Sequence, residues 1–253
     1  MNHAAHRMAS VALISALSCL MIMFLVGCPT DDEPTGEGAT GLFVVAQLAK
    51  MANVPFAQAI AMLQRLLDPE EGATVRMIAA GDTLVLDDQG GGLYVAPLGA
   101  TFGVAFAGSY QLSITTSENE QVTGSITIPD SFDITYPPVL GAHRTTDTLE
   151  IEWEPIDGAD LIIVSLDASF EPQPEGLPWV TSPPLGGDAT SVTVPDSVIP
   201  AQGGLMVASV IGIAGGYIDP ITYDYYQSEE NLTGAIGFFG SAAQNAVFFT
   251  LVP

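Results

Sequence analysis

Leu149-Glu150-Ile151-Glu152-Trp153-Glu154-Pro155 is the stretch that decides the fold class. Apolar residues fill the odd positions and glutamates the even ones, the period of two expected of a strand with one buried and one solvated face. Pro155 then ends the ladder, because proline has no N–H to donate. Pro155-Ile-Asp-Gly-Ala-Asp160 reads as a turn, and Leu161-Ile-Ile-Val-Ser-Leu166 is apolar enough for a central strand.

The same grammar runs in both directions. Upstream, Tyr110-Gln-Leu-Ser-Ile114 and Val122-Thr-Gly-Ser-Ile-Thr-Ile128 alternate, with Ser117-Glu-Asn-Glu120 between them as a hairpin loop. Phe132 and Ile134 continue the alternation until Pro137-Pro138 stops it, and a module boundary is placed there. Downstream come a Pro-rich loop (Glu171 to Pro184), then strands at Ser191–Val194, Leu205–Ile213 and Ala246–Val252. Short strands set off by Gly, Pro, Asn and Asp predict an all-β chain. Two immunoglobulin- or fibronectin-like β-sandwich modules are expected, over residues 42–138 and 139–253. Within 42–67 the periodicity changes. Phe56, Ile60, Leu63 and Leu67 share one helical face ahead of an Asp68-Pro69 stop, which predicts a short helix there.

The second module resembles the start of a fibronectin type III domain, on Leu149-Glu-Ile-Glu-Trp-Glu-Pro155, the Gly158-Ala-Asp160 turn and the strand that follows. That resemblance implies a tryptophan packed in the core. The tyrosine which the family places in a later strand is missing from Leu205-Met-Val-Ala-Ser-Val210. The chain from Cys28 onward also resembles envelope lipoproteins built of two β-sandwiches. It shares Gly108-Ser-Tyr-Gln-Leu112, an Ile128-Pro129 step and the turn-rich Asn231-Leu-Thr-Gly-Ala-Ile-Gly-Phe-Phe-Gly240. This second likeness implies that residues 42–67 open the first sandwich as strands instead, and it brings no assigned chemistry.

The N-terminus carries an address. One arginine in Met1–Arg7 precedes an apolar run from Met8 to Val26, which is the layout of an export signal over residues 1–27. The run is long enough to span a bilayer, but Leu25-Val26-Gly27-Cys28 ends it and resembles the lipobox of bacterial lipoproteins. The resemblance implies cleavage before Cys28 and acylation of that cysteine, with palmitate-type chains holding the protein to a membrane. One acyl chain binds marginally, and two or three make attachment effectively permanent. Residues 28–41 are polar, acidic and rich in Pro and Gly, so they read as a flexible tether. Asp31-Asp32-Glu33 also looks like the acidic cluster that sends some lipoproteins to the cell surface. Pro29 is not the aspartate associated with inner-membrane retention, which points to the outer membrane.

Composition excludes several chemistries. After Cys28 only Lys50, Arg65, Arg76 and Arg144 stand against all 29 acids. Four scattered cations cannot displace the counterions of a nucleic acid. With Cys19 lost to the signal and Cys28 lipidated, no thiol remains for a disulfide, a zinc site or a nucleophile. His143 is the one histidine after cleavage; it lies in the turn-like Gly141-Ala-His-Arg-Thr-Thr146 and is expected in a surface loop. No Gly-x-Ser-x-Gly elbow accompanies it. Gly90-Gly91-Gly92 lacks the lysine of a phosphate loop.

What remains are acids and aromatics. Calcium takes six to eight oxygen ligands from loops, and Asp87, Asp88, Asp219 and Asp224 are its weak candidates; no other cofactor is expected. A carboxylate pair hydrolysing a glycoside is the enzymatic alternative. Trp179, Tyr223 and Tyr225 could stack a sugar or peptide, though packing inside a strand core is the favoured account of them. A non-enzymatic binding or structural module of the cell envelope is the expectation, with an envelope protein or a glycan as partner.

Overall fold

A computed structural model describes residues 41–52, 58–65, 68–97, 102–169, 174, 176–181, 183–218, 225–227 and 231–253. In chain order the longer strands are β1 (Leu42–Met51), β2 (Gln58–Arg65), β3 (Thr74–Ala79), β4 (Asp82–Val85), β5 (Leu93–Val95), β6 (Ser109–Thr115) and β7 (Gln121–Thr127). They continue with β8 (Ile134–Tyr136), β9 (Ala142–Arg144), β10 (Glu150–Trp153), β11 (Leu161–Ala168), β12 (Ser191–Thr193), β13 (Gly204–Ala214) and β14 (Ile236–Val252). A 3-10 turn at Asp196–Val198 is the one helical element among the described residues.

The alternation that opened the argument is realised in β10. Leu149, Ile151 and Trp153 are buried, Glu152 and Glu154 are exposed, and the Trp153 indole donates to the Ala189 carbonyl at 2.9 Å. β6 buries Tyr110, Leu112 and Ile114 and pairs with β7 in the register Tyr110↔Ile126, Ile114↔Val122. The hairpin between them turns through Asn119 at φ 66°, a conformation asparagine tolerates better than most residues. Ile162, Ile163, Val164 and Leu166 are buried, so β11 carries apolar residues on both of its faces, as a central strand does.

One long sheet forms the spine, in the order β11-β13-β14-β1-β2-β5, with the two-residue strands Trp179–Val180 and Asp87–Asp88 at its ends. Two smaller sheets pack with it, and Gly216–Ile218 pairs with Tyr225–Gln227 as a separate two-stranded ribbon. Leu232–Thr233, β7, β6, β3 and β4 make the first, and β8, β10 and β12 the second. Both donate buried residues to one hydrophobic cluster with the spine. Two side chains stitch the layers: Ser241 donates to the Thr127 carbonyl at 2.8 Å, and Asn245 to the Phe132 carbonyl at 2.9 Å.

β14 is what makes the spine continuous. Its first half runs parallel to β1, from Phe43↔Ile236 to Met51↔Gln244. Its second half runs antiparallel to β13, from Ala214↔Ser241 to Gly204↔Leu251, and its last residues pair with β9. At about 3.3 Å per residue its 17 residues span roughly 55 Å. Gly237, at φ 114°, lets the two backbones meet, because a Cβ there would collide with the Val44 carbonyl. Ladders therefore join strands on either side of residue 138: β1 to β14, Leu232–Thr233 to β7, and β8 to β10.

Two expectations need correction. Residues 42–67 do not form the helix their periodicity predicts; β1 and β2 are antiparallel strands in the register Leu42↔Arg65 to Ala49↔Gln58. Ile60 and Leu63 fit a helical face, but Ala59, Ala61 and Leu63 equally fit a strand, and Val44, Val45, Ala46 and Leu48 are buried on both faces of β1. A strand flanked on both edges and covered on both faces loses its period of two, which removes the signal that separates it from a helix. The remaining members of the helical set, Phe56 and Leu67, lie outside the described residues. The second correction is His143. It sits in β9, not in a surface loop, and is 7% exposed. Its Nδ1 lies 2.7 Å from the Tyr136 hydroxyl and its Nε2 3.2 Å from the Asp147 carbonyl, which satisfies both ring nitrogens inside the core.

Candidate functional site

The turn after β10 places a carboxylate where the sheets meet. Ile156 is buried, Ala159 donates to the Ile156 carbonyl at 3.2 Å, and Gly158 takes φ 82°. The chain is then fixed at Asp160, whose N–H donates to the Ile213 carbonyl at 2.7 Å and whose carbonyl accepts from Gly187 at 3.0 Å. One oxygen of its side chain, Oδ2, accepts the Gly215 N–H at 2.9 Å, just past the end of β13.

Across from this turn lie the solvent-facing ends of β6 and β7. Ser109 and Thr127 are register partners whose hydroxyls lie 3.0 Å apart. Ser125 is exposed, and its N–H donates to the Asn231 carbonyl at 3.4 Å. Asn231 spends its whole side chain on the start of β14: its amide nitrogen donates to the Phe239 carbonyl, and its oxygen accepts the Phe239 N–H at 3.0 Å. Between the two sides opens a cleft of about 560 Å³. Ser109, Ser125 and Thr127 line one wall, Gly158 and Asp160 the other, with Ile126, Ala214, Gly215 and Asn231 completing it. Asp160 is the one charged residue among the described residues of that lining. The arrangement can accept hydrogen bonds from a polar ligand at an oxygen-rich surface.

A second polar cluster ties layers together instead of opening to solvent. Glu70 is 6% exposed, and it accepts the Ser117 N–H at 3.1 Å, the Ser117 hydroxyl at 2.7 Å and Arg65 Nε at 3.3 Å. Burial by itself pushes this carboxyl up, but the Ser117 bonds and the Arg65 charge outweigh it, and the net shift is below the ordinary value. Arg65 also bonds Glu120, and Glu118 lies 4.0 Å away. Hydrogen bonding to Glu120 is the main cause that raises the guanidinium further. The buried Tyr94 hydroxyl accepts from Ala73 at 3.0 Å and donates to the Glu70 carbonyl at 2.8 Å; burial pushes its ionisation up.

The residues singled out in the sequence are dispersed. Asp87 and Asp88 pair with β5 at the sheet edge. Both oxygens of Asp88 hold a turn, accepting Gly72 N–H at 2.9 Å and Gly90 N–H at 2.8 Å, and these bonds lower its ionisation. Among the described residues no group of three or more His, Cys, Asp or Glu is placed to hold a metal ion. Asp219, Asp224, Tyr223 and Cys28 lie outside the described residues. Trp179 is partly buried against the core beside β11, at the pair Leu166↔Trp179. The backbone of Tyr225 pairs with Ile218. In the sequence Gly158-Ala-Asp160 reads as a turn, and Asn231 as part of another turn and the start of an Asn-x-Thr sequon that in a bacterial chain arises by chance. Their meeting with Ser109 and Thr127 depends on register and layer packing, which no local pattern encodes.

No protein-family model matches the chain, and no curated protein matches it. Among solved structures it is similar to a two-domain fibronectin type III segment of chicken tenascin, at 9% identity over 66% of this chain and 89% of that one, with a TM-score of 0.23. It is also similar to the fibronectin(III)-like modules of CbhA from Clostridium thermocellum, at 13% identity over 82% of this chain and 94% of that one, with a TM-score of 0.22. TM-scores this low carry no argument about topology, so the all-β sandwich architecture rests on the chain's own ladders and core.

Proposed function

We propose that this chain is a lipid-anchored protein of the bacterial cell envelope, held in the outer membrane by acyl chains on Cys28, that works by binding and spacing and not by catalysis. The observation that carries the binding half is the junction cleft. Among the described residues, hydroxyls and one carboxylate line it, whereas acid hydrolysis of a glycoside uses a pair of carboxylates across the bond. The anchoring half rests on the lipobox-like Leu25-Val26-Gly27-Cys28 at the end of the apolar run. The flexible tether reading of residues 28–41 joins the two halves. A tether of that length reaches at most about 50 Å, enough to hold the body clear of the lipid headgroups.

Intact-mass analysis and fatty-acid labelling of wild type beside Cys28→Ala test the anchor. Acylation and cleavage in the wild type, with both lost in the variant, support the reading. An unacylated full-length chain in both overturns it. Protease shaving of whole cells then reports which face of the membrane carries the protein.

A further inference from the structure

We propose that the junction cleft is a receptor site for the ammonium group of a lysine side chain on a protein or peptide partner. The inference rests on the binding reading above and names the chemistry of its ligand. Charge disfavours the opposite class: no cation among the described residues lines the cleft, and the chain carries a formal net charge of -24. An anionic ligand would meet an uncompensated carboxylate inside a repulsive field, whereas a cation is drawn toward the same field.

The choice between the two cationic side chains comes from the carboxylate's bonding. Gly215 N–H already takes one lone pair of Asp160 Oδ2, so a guanidinium fork would have to share that oxygen with the backbone, which disfavours the paired geometry it needs. An ammonium is a compact charge with three donors that can reach acceptors in different directions. Asp160 Oδ1 and the hydroxyl oxygens of Ser109, Ser125 and Thr127 offer such acceptors from opposite walls of one cleft. The volume of about 560 Å³ admits the ammonium with several methylenes of its stem, and Ile126 and Ala214 give that stem an apolar surface.

A weak cation attracted anywhere on so acidic a protein would mimic binding, so the test must locate the contact. The full chain in detergent micelles is titrated with Nα-acetyl-lysine methylamide while backbone amide resonances are followed. The Nε-acetylated form of the same probe, which has no charge, is the matched control. The expected result is saturable shifts centred on Gly158, Asp160 and Gly215. Asp160→Asn and the neutral probe should each weaken binding about tenfold or more, as loss of a charge-assisted bond does. Asp157→Asn removes an exposed acid of the same turn outside the cleft lining, and should leave binding unchanged. Should Asp160→Asn disturb the turn, Ser125→Lys replaces it, since it supplies a tethered ammonium at an exposed position and should exclude the probe. Equal affinity for the neutral probe would overturn the proposal in favour of an uncharged polar ligand. Diffuse, non-saturating shifts indifferent to Asp160→Asn, or no shifts at all, would overturn it outright. None of these outcomes depends on acylation of Cys28, so this site and the anchor succeed or fail separately.

Discussion

At the scale of single residues, Glu70 shows how a carboxylate can be buried in this fold. Its three accepted bonds come from Arg65 in β2 and from Ser117 in the β6–β7 loop, so it fastens the spine to the smaller sheet. Glu70→Gln should lower stability by about 2 kcal/mol, because it removes charge-assisted bonds and leaves neighbours unsatisfied. Since the folded carboxyl is held below its ordinary value of 4.5, the contribution is full at neutral pH. It fades as pH drops from about 4.5 through the lower folded value. Urea unfolding of wild type and variant at pH 7 and pH 3 should give two curves that converge at the acid end. Tyr94→Phe belongs to the same neighbourhood. It strands the Ala73 N–H and the Glu70 carbonyl, and should cost about 1–2 kcal/mol at pH 7 in the same assay. Little of this is legible in the sequence: Arg65 and Glu70 are five residues apart, but Ser117 is 47 residues from Glu70, and only the packing of the two sheets brings it to them.

At the scale of elements, legibility followed solvation. β10 and β6 were readable because one face of each is wet, so their sequences alternate. β1 was not, because it is buried on both faces and its best partner is β14, almost two hundred residues away in the chain. β14 itself was read only in its second half, from Ala246. Its first half is rich in Gly and was taken as a turn. Gly237 is where that difference can be measured. Gly237→Ala drives a methyl into the Val44 carbonyl at a positive φ and should cost more than about 2 kcal/mol. Hydrogen exchange should show the loss first in the amides of β1 and the first half of β14. Unchanged stability would mean that the parallel β1–β14 ladder is not formed.

At the scale of the molecule, β14 belongs to both sandwiches. Its N-terminal half completes the first against β1, and its C-terminal half completes the second against β13 and β9. The start of β1, at Phe43, lies beside the start of β14, at Ile236. The other end of that strand lies roughly 50 Å along it, beyond two successive ladders, one with β1 and one with β13. A strand shared in this way holds the two sandwiches in one fixed arrangement. That arrangement suits a spacer with a binding site better than two modules swinging on a linker. Fold class was visible in the sequence because alternation is local. The joining of the two sandwiches was not, because it depends on a pairing between Phe43–Met51 and Ile236–Gln244, far apart in the chain.

The most direct test of this joined architecture is native-state hydrogen exchange of the full chain across a series of urea concentrations. The slowest amides of β6 in the first sandwich and β11 in the second are followed together. A shared strand predicts that both sets converge on one opening free energy with one urea dependence, the signature of a single cooperative unit. Two separate free energies, with β11 still protected after β6 has opened, would contradict it and leave two independent sandwiches that merely touch.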